Sequence, residues 1–376
     1  MDESAAVASP PANIETSVQR AATPTTAHHR LAGVEAGRGI AALLVVFYHT
    51  ALHVEGNVGG SILWNLPVFG HAGVDFFFVL SGFIITFVHH QDIGRPGRLG
   101  HYIQRRFTRV LPFYWIVLAF YLADTWLFHP IKAPGRWDLI SNFLLLPQGK
   151  LEIVGGAWTL VFELLFYTIF AVMVWSRKIG AIALVMWACL TVATFIDHQF
   201  FVSQVSRFFI SFPYCFEFFL GMGAAHVLLR RRVAASGTLL LVGIGSFFAA
   251  GFAEARGFID GFGLLARLIY GGSAVLIIIA LVERERSDLL KVPRILAVLG
   301  RASYSVYLVH LVAIGIAFHF ISRIIHLTPA AALPLWCVLC AIGVTAGVLA
   351  SIWVEHPVIR FSRRLLSSGR TKAQFA

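Results

Sequence analysis

Charged side chains are scarce: Asp, Glu, Lys and Arg make up 13% of the 376 residues, against roughly a quarter in an ordinary soluble domain. That scarcity excludes a soluble globular fold and a disordered polyelectrolyte alike. Acidic residues are the rarer sign, 19 against 30 basic ones, which leaves a net charge of +11. Cysteine is nearly absent. Its four copies, Cys189, Cys215, Cys337 and Cys340, all fall in apolar stretches where a thiol acts as a small apolar side chain. The Cys337-x-x-Cys340 pair has no second pair to complete a metal or redox motif. What remains is overwhelmingly apolar, 58% hydrophobic and 14% aromatic with a mean hydropathy of +0.77. Such a chain is an integral membrane protein.

A helix crosses the hydrocarbon core with about 20 residues. Stretches that meet this need fall at 39–56, 67–90, 110–129, 156–176, 179–197, 207–229, 237–253, 262–282, 299–322 and 331–354. The expected fold class is therefore all-α, a polytopic membrane protein with about ten transmembrane helices. Leu139 to Leu146 is too short to cross and reads as an interfacial or re-entrant segment. An even number of spans places both termini on one side. Setting that side as cytoplasmic puts 23 of the 30 Lys and Arg inside, loop by loop. The basic excess then orients the protein and calls for no nucleic acid. Residues 1–36, rich in Ala, Ser, Thr and Pro and lacking an apolar signal run, read as a disordered cytoplasmic tail. Residues 37–356 read as the transmembrane domain, and 357–376 as a short basic cytoplasmic tail with no appended soluble domain.

Titratable groups at membrane depth are costly, so each is a functional candidate. Here they are His49, Asp75, Asp124, Glu163, Glu217 and His310, with Arg38 and Glu355 near helix ends. Eleven residues separate Arg38 from His49, which returns them to nearly one helix face about 16 Å apart. One reading is an anionic ligand held at the cytoplasmic mouth while its reactive end reaches a general base at depth; the other is a boundary arginine and a histidine bonding a neighbouring helix. His53 follows His49 by four residues, but no Glu follows His49 to make H-E-x-x-H, and no metal site is expected. In Arg105-Arg106-Phe107-Thr108-Arg109, helical spacing puts Arg105 and Arg109 on one face, suited either to phosphate oxygens or to topology control alone. Glu163 either orients His49, binds an acceptor hydroxyl, or pairs with an arginine between helices. Asp75 and Ser81 sit among small residues that permit close helix approach or a tight ligand fit. Glu217 and His310, each alone in an apolar helix, read first as hydrogen-bonding glue.

Together these segments resemble the bacterial acyltransferase-3 family of integral membrane acyltransferases. The resemblance rests on Arg38 with ten residues before His49, on Gly73-Val74-Asp75-Phe76-Phe77-Phe78-Val79-Leu80-Ser81-Gly82-Phe83, on the Arg105 to Arg109 run, on Trp158 with Glu163, and on Ser303-Tyr304-Ser305-Val306-Tyr307-Leu308-Val309-His310. It implies a helical bundle of about ten spans that moves an acyl group, usually acetyl, from cytoplasmic acyl-CoA to a sugar hydroxyl. It implies His49 as the catalytic imidazole, acting as base or carrying the acyl group, with Glu163 steadying it. Arg38, Arg105, Arg106 and Arg109 become donor-binding or structural partners, and Asp75, Ser81, Trp158, Tyr304 and His310 acceptor-side or structural positions. No bound cofactor is implied; acyl-CoA, acetyl-CoA first, is the co-substrate. The implied partners are a glycan or lipid-linked sugar and the lipids of the bacterial inner membrane. With about 20 residues after the last span, and without the esterase-like domain some members carry, transfer is expected to go directly to the acceptor or through a separate protein. A small-molecule glycoside such as a macrolide is the alternative acceptor. A proton-coupled transporter is the rival class, although no matched pair of broken helices is present.

Overall fold

Helix α1, Ala32–Val58, begins where a carboxylate is waiting for it. Both oxygens of Glu285 accept from the first free amides, Ala32 N–H at 2.8 Å and Gly33 N–H at 3.1 Å. A capping acid placed 252 residues away is invisible to local reading. It starts the helix five residues inside the segment expected to be a disordered tail. The computed structural model describes residues 31–128, 134–147, 153–196 and 214–373, so the rest of that tail lies outside the described residues.

The chain continues through a 3-10 segment, Leu63–Ala72, into α2, Gly73–His89. Next come α3, Leu99–Phe128, and the short α4, Arg136–Leu144. Helices α5, Trp158–Trp175, and α6, Arg177–Ile196, follow, then α7, Cys215–Arg230, and α8, Ser236–Ala255. The last group is α9, Leu264–Arg286; α10, Arg294–Ile324; α11, Ala332–Ala350; a π-helical turn, Ser351–Glu355; and α12, His356–Ala373. No strand occurs among the described residues, as a bilayer requires of a chain whose backbone bonds must close within each segment. Among the described residues, eight stretches are long and apolar enough to cross a membrane. Helices α6 and α7 stand in two further expected spans; they border residues 197–213, which lie outside the described residues.

Close packing follows the small residues. Helices α2 and α7 touch backbone to backbone: a Cβ on Gly82 would overlap the carbonyl of Phe218, and one on Gly221 the carbonyl of Val79. Gly39 of α1 and Gly300 of α10 meet in the same way. Between these contacts the aromatics fill the interior. Phe218 stacks on Phe166 at 4.6 Å and tilts against Phe78 at 5.0 Å, so the phenylalanine-rich stretches serve packing first.

Two segments outside the crossing helices also take form. Helix α4 leaves Leu139, Ile140, Phe143 and Leu144 exposed on a chain too short to cross, as an interfacial segment would. Tyr114 and Trp115 of α3 hold it through the carbonyls of Asn142 and Phe143, at 2.8 and 2.9 Å. The segment expected as a basic tail is helix α12, which packs on α3.

Candidate active site

A cleft enclosing about 750 Å³, part of it open to solvent, lies among α1, α2, α3, α5 and α10. Arg38 of α1 and Arg106 and Arg109 of α3 line it, facing the carboxylate of Glu163 on α5. Three guanidiniums against one carboxylate leave the cleft electropositive, and guanidinium forks suit phosphate oxygens. Arg105 is exposed and does not line the cleft. The face that α3 turns to the cleft thus carries Arg106 with Arg109, spaced by three, in place of the expected Arg105 with Arg109. Both spacings share a helix face; packing of α3 against α5 and α10 selects between them.

Glu163 is held within the cleft. Its Oε1 accepts from the Ser81 hydroxyl at 3.1 Å and from the Tyr167 hydroxyl. Tyr167 in turn lies under Arg106, whose guanidinium carbon is 5.8 Å from the ring centroid. Tyr304 joins the same wall and donates to the Val110 carbonyl at 2.9 Å. Trp158 packs on Phe78, Phe162 and Tyr214 and is not a lining residue.

His49 stands apart from this cleft, and its partner is His310. His310 Nδ1 lies 3.0 Å from the Val306 carbonyl, which can only accept, so that nitrogen carries the proton. In a neutral ring, His310 Nε2 is then an acceptor. It faces His49 Nδ1 at 3.1 Å, and His49 Nδ1 also faces the Val45 carbonyl at 3.1 Å. Both partners accept, which puts the His49 proton on Nδ1 and the free lone pair on Nε2. His310 thus bonds helix α10 to α1, as its reading as hydrogen-bonding glue expects, and it bonds the candidate imidazole itself, whereas Glu163 makes its hydrogen bonds to Ser81 and Tyr167. Tyr307, one turn before His310 on α10, links the two places: it lines the cleft, and its ring centroid is 6.2 Å from that of His310.

Asp75 belongs to a different centre. It is fully buried and pairs with Arg267 of α9, itself 2% exposed. The guanidinium lies over the Tyr214 ring, 4.2 Å from its centroid, and donates to the Gly261 carbonyl at 3.0 Å. Glu217 is buried beside this pair. His53 sets its ring edge against Phe318 at 4.7 Å, and among the described residues no three His, Cys, Asp or Glu side chains converge as a metal site would need.

The profile of the acyltransferase-3 family, described as an acyltransferase domain, matches residues 31–352. The chain belongs to this family. It is a multi-pass membrane acyltransferase. Among its relatives is the exopolysaccharide production protein ExoZ of Rhizobium meliloti (strain 1021), 27% identical over 305 residues, covering 78% of this chain and 91% of ExoZ. Another is protein 2 in the picA locus of Rhizobium radiobacter, 26% identical over 157 residues, covering 36% of this chain and 77% of that protein. No solved structure matches.

For an acyltransferase, the His49–His310 contact carries an expected result. His310→Phe, similar in size but with no acceptor nitrogen, frees the His49 ring to turn. With His49 as the reacting imidazole, turnover should fall about tenfold to a hundredfold, the cost of misplacing such a group, while the KM for the acyl donor holds. Steady-state kinetics of the purified variant check this. A change in KM alone would make His310 merely structural.

Three polar positions went unread in the sequence. Arg267, His71 and Glu254 all lie close to predicted helix ends, where charge is ordinary, and nothing local marks them as buried. Only their partners, 192 and 183 residues away, reveal them.

Proposed function

We propose that the protein transfers an acyl group, acetyl first, from cytoplasmic acyl-CoA to a sugar hydroxyl of a surface or secreted polysaccharide, or of its lipid-linked precursor, at the bacterial inner membrane. The observation that carries this reading is the division of α1. Arg38 stands in an electropositive cleft near one end, and His49, with its Nε2 lone pair free, stands about 16 Å along the same helix. Coenzyme A has that shape, phosphates on a nucleotide at one end of a thin arm and a thioester at the other. The basic loops support placing the Arg38 end in the cytoplasm. The likeness to ExoZ supports an exopolysaccharide as acceptor.

In this reading Arg38, Arg106 and Arg109 hold the donor phosphates, and Glu163 fixes Tyr167 and offsets part of their charge. His49 Nε2 takes the proton of the acceptor hydroxyl as its oxygen attacks the acyl carbonyl. The new C–O bond forms, the C–S bond breaks, and coenzyme A leaves as the thiolate. His310 keeps the imidazole in the tautomer that accepts.

Removing one donor-binding arginine should act on binding. Arg106→Gln is expected to raise the KM for acetyl-CoA about tenfold or more, as loss of a charge-assisted bond does, with a smaller effect on KM for dephosphorylated donor analogues. The function itself is tested by NMR of O-acyl groups on secreted polysaccharide from a deletion strain complemented with wild type or His49→Ala at matched expression. One O-acyl resonance should vanish on deletion and return only with wild type. If no glycan changes, the polysaccharide acceptor is wrong.

A further inference from the structure

A second histidine centre lies at the end of the bundle away from Arg38, where the 3-10 segment meets α2 and the end of α8 meets the start of α9. His71 Nε2 donates to Glu254 Oε1 at 2.8 Å, and Tyr270 donates to Glu254 Oε2 at 2.6 Å. With Nε2 committed as the donor, a neutral His71 has its lone pair on Nδ1. That nitrogen is buried, in a residue 5% exposed, and has no partner among the described residues. A buried acceptor left unmatched is costly and calls for a partner, either an ordered water or a hydroxyl of a bound ligand.

The surroundings point to a sugar. Phe262 stacks on His71 at 4.4 Å yet leaves more than half its surface exposed, an apolar face beside a hydrogen-bonding nitrogen. The turn that carries Phe262 is held by Arg267, through the Gly261 carbonyl, and Gly261 lies so close on Glu254 that a Cβ there would overlap the carboxylate. Tyr48 joins the centre to the reacting imidazole, with its ring edge-on to His71 at 5.5 Å and to His49 at 5.0 Å.

We infer that His71 and Phe262 form the acceptor subsite: Nδ1 of His71 accepts a hydrogen bond from a second hydroxyl of the sugar whose reacting hydroxyl faces His49, and so selects which hydroxyl is acylated. Glu254 and Tyr270 are positioning residues that act through His71. The inference rests on the proposed function.

The test uses purified full-length protein in nanodiscs, acetyl-CoA as donor, and a de-O-acylated oligosaccharide of the strain's own exopolysaccharide as acceptor. His71→Gln keeps a donor near the Nε2 position for Glu254 but removes Nδ1. Acceptor KM should rise about threefold to tenfold, as loss of one hydrogen bond predicts, with the Kd for acetyl-CoA unchanged and the acylated position, read by NMR, less uniform. Phe262→Ala, an exposed residue whose loss spares the fold, should raise acceptor KM and also spare the donor Kd. Wild-type acceptor KM and a single acylated position in either folded variant would overturn the inference. A wild-type protein that acylates no sugar from acetyl-CoA would instead overturn the proposed function.

Discussion

His49→Ala is expected to lower acyl transfer by about 10²–10⁴-fold, the range of a lost general base, while the protein folds and binds acyl-CoA as before. The separation follows from geometry. His49 is not among the residues lining the arginine cleft, and its hydrogen bonds run to the Val45 carbonyl and to His310. Removing the imidazole leaves His310 with its Val306 bond intact, so α1 and α10 keep their packing through Gly39 and Gly300. Thiol release from acetyl-CoA, measured beside equilibrium binding of the donor, separates the two effects. Loss of binding together with turnover would place His49 in the donor site and remove it from the chemistry.

The second large effect is on stability. Asp75→Ala leaves the Arg267 guanidinium buried at 2% exposure without its carboxylate, and stranding a buried charge costs about 3–5 kcal/mol. Asp75→Asn should cost less, because the amide keeps the volume and an oxygen that still accepts from the guanidinium, and Glu217, buried beside the pair, can then supply negative charge. Asp75→Asn combined with Glu217→Gln removes both carboxylates and should cost more than the two single changes added together. Thermal unfolding of the four proteins in one detergent gives the coupling directly. Strict additivity would mean that Glu217 does not serve Arg267. The pair also holds the turn over His71, so a stable Asp75 variant should still show weakened acceptor use.

The membrane-crossing architecture was legible because a bilayer imposes length and apolarity on every crossing segment, and both are local properties of the chain. The shared face of Arg38 and His49 was legible for the same reason, since helical spacing fixes it. What failed to show was partnership across long sequence distances. His310 read as glue because its helix is otherwise apolar, and it does bond a neighbouring helix; that the partner is His49, 261 residues earlier, could not be read locally. Arg267 and Glu254 fell near loop boundaries and were indistinguishable from ordinary surface charge until the fold closed over them. Arg105 and Arg106 differ by one residue, and spacing to Arg109 favours neither, so the choice belonged to tertiary packing.

The central claim is that one helix carries donor binding and chemistry at two depths, and it is tested most directly by single-turnover kinetics. Wild type, Arg38→Ala and His49→Ala are each mixed with saturating and subsaturating acetyl-CoA and the oligosaccharide acceptor, and thiol release is followed. The account predicts that Arg38→Ala is slow at low donor and recovers substantially at saturation, whereas His49→Ala stays slow at every concentration. The reverse pattern, with His49→Ala rescued by excess donor and Arg38→Ala not, would contradict it.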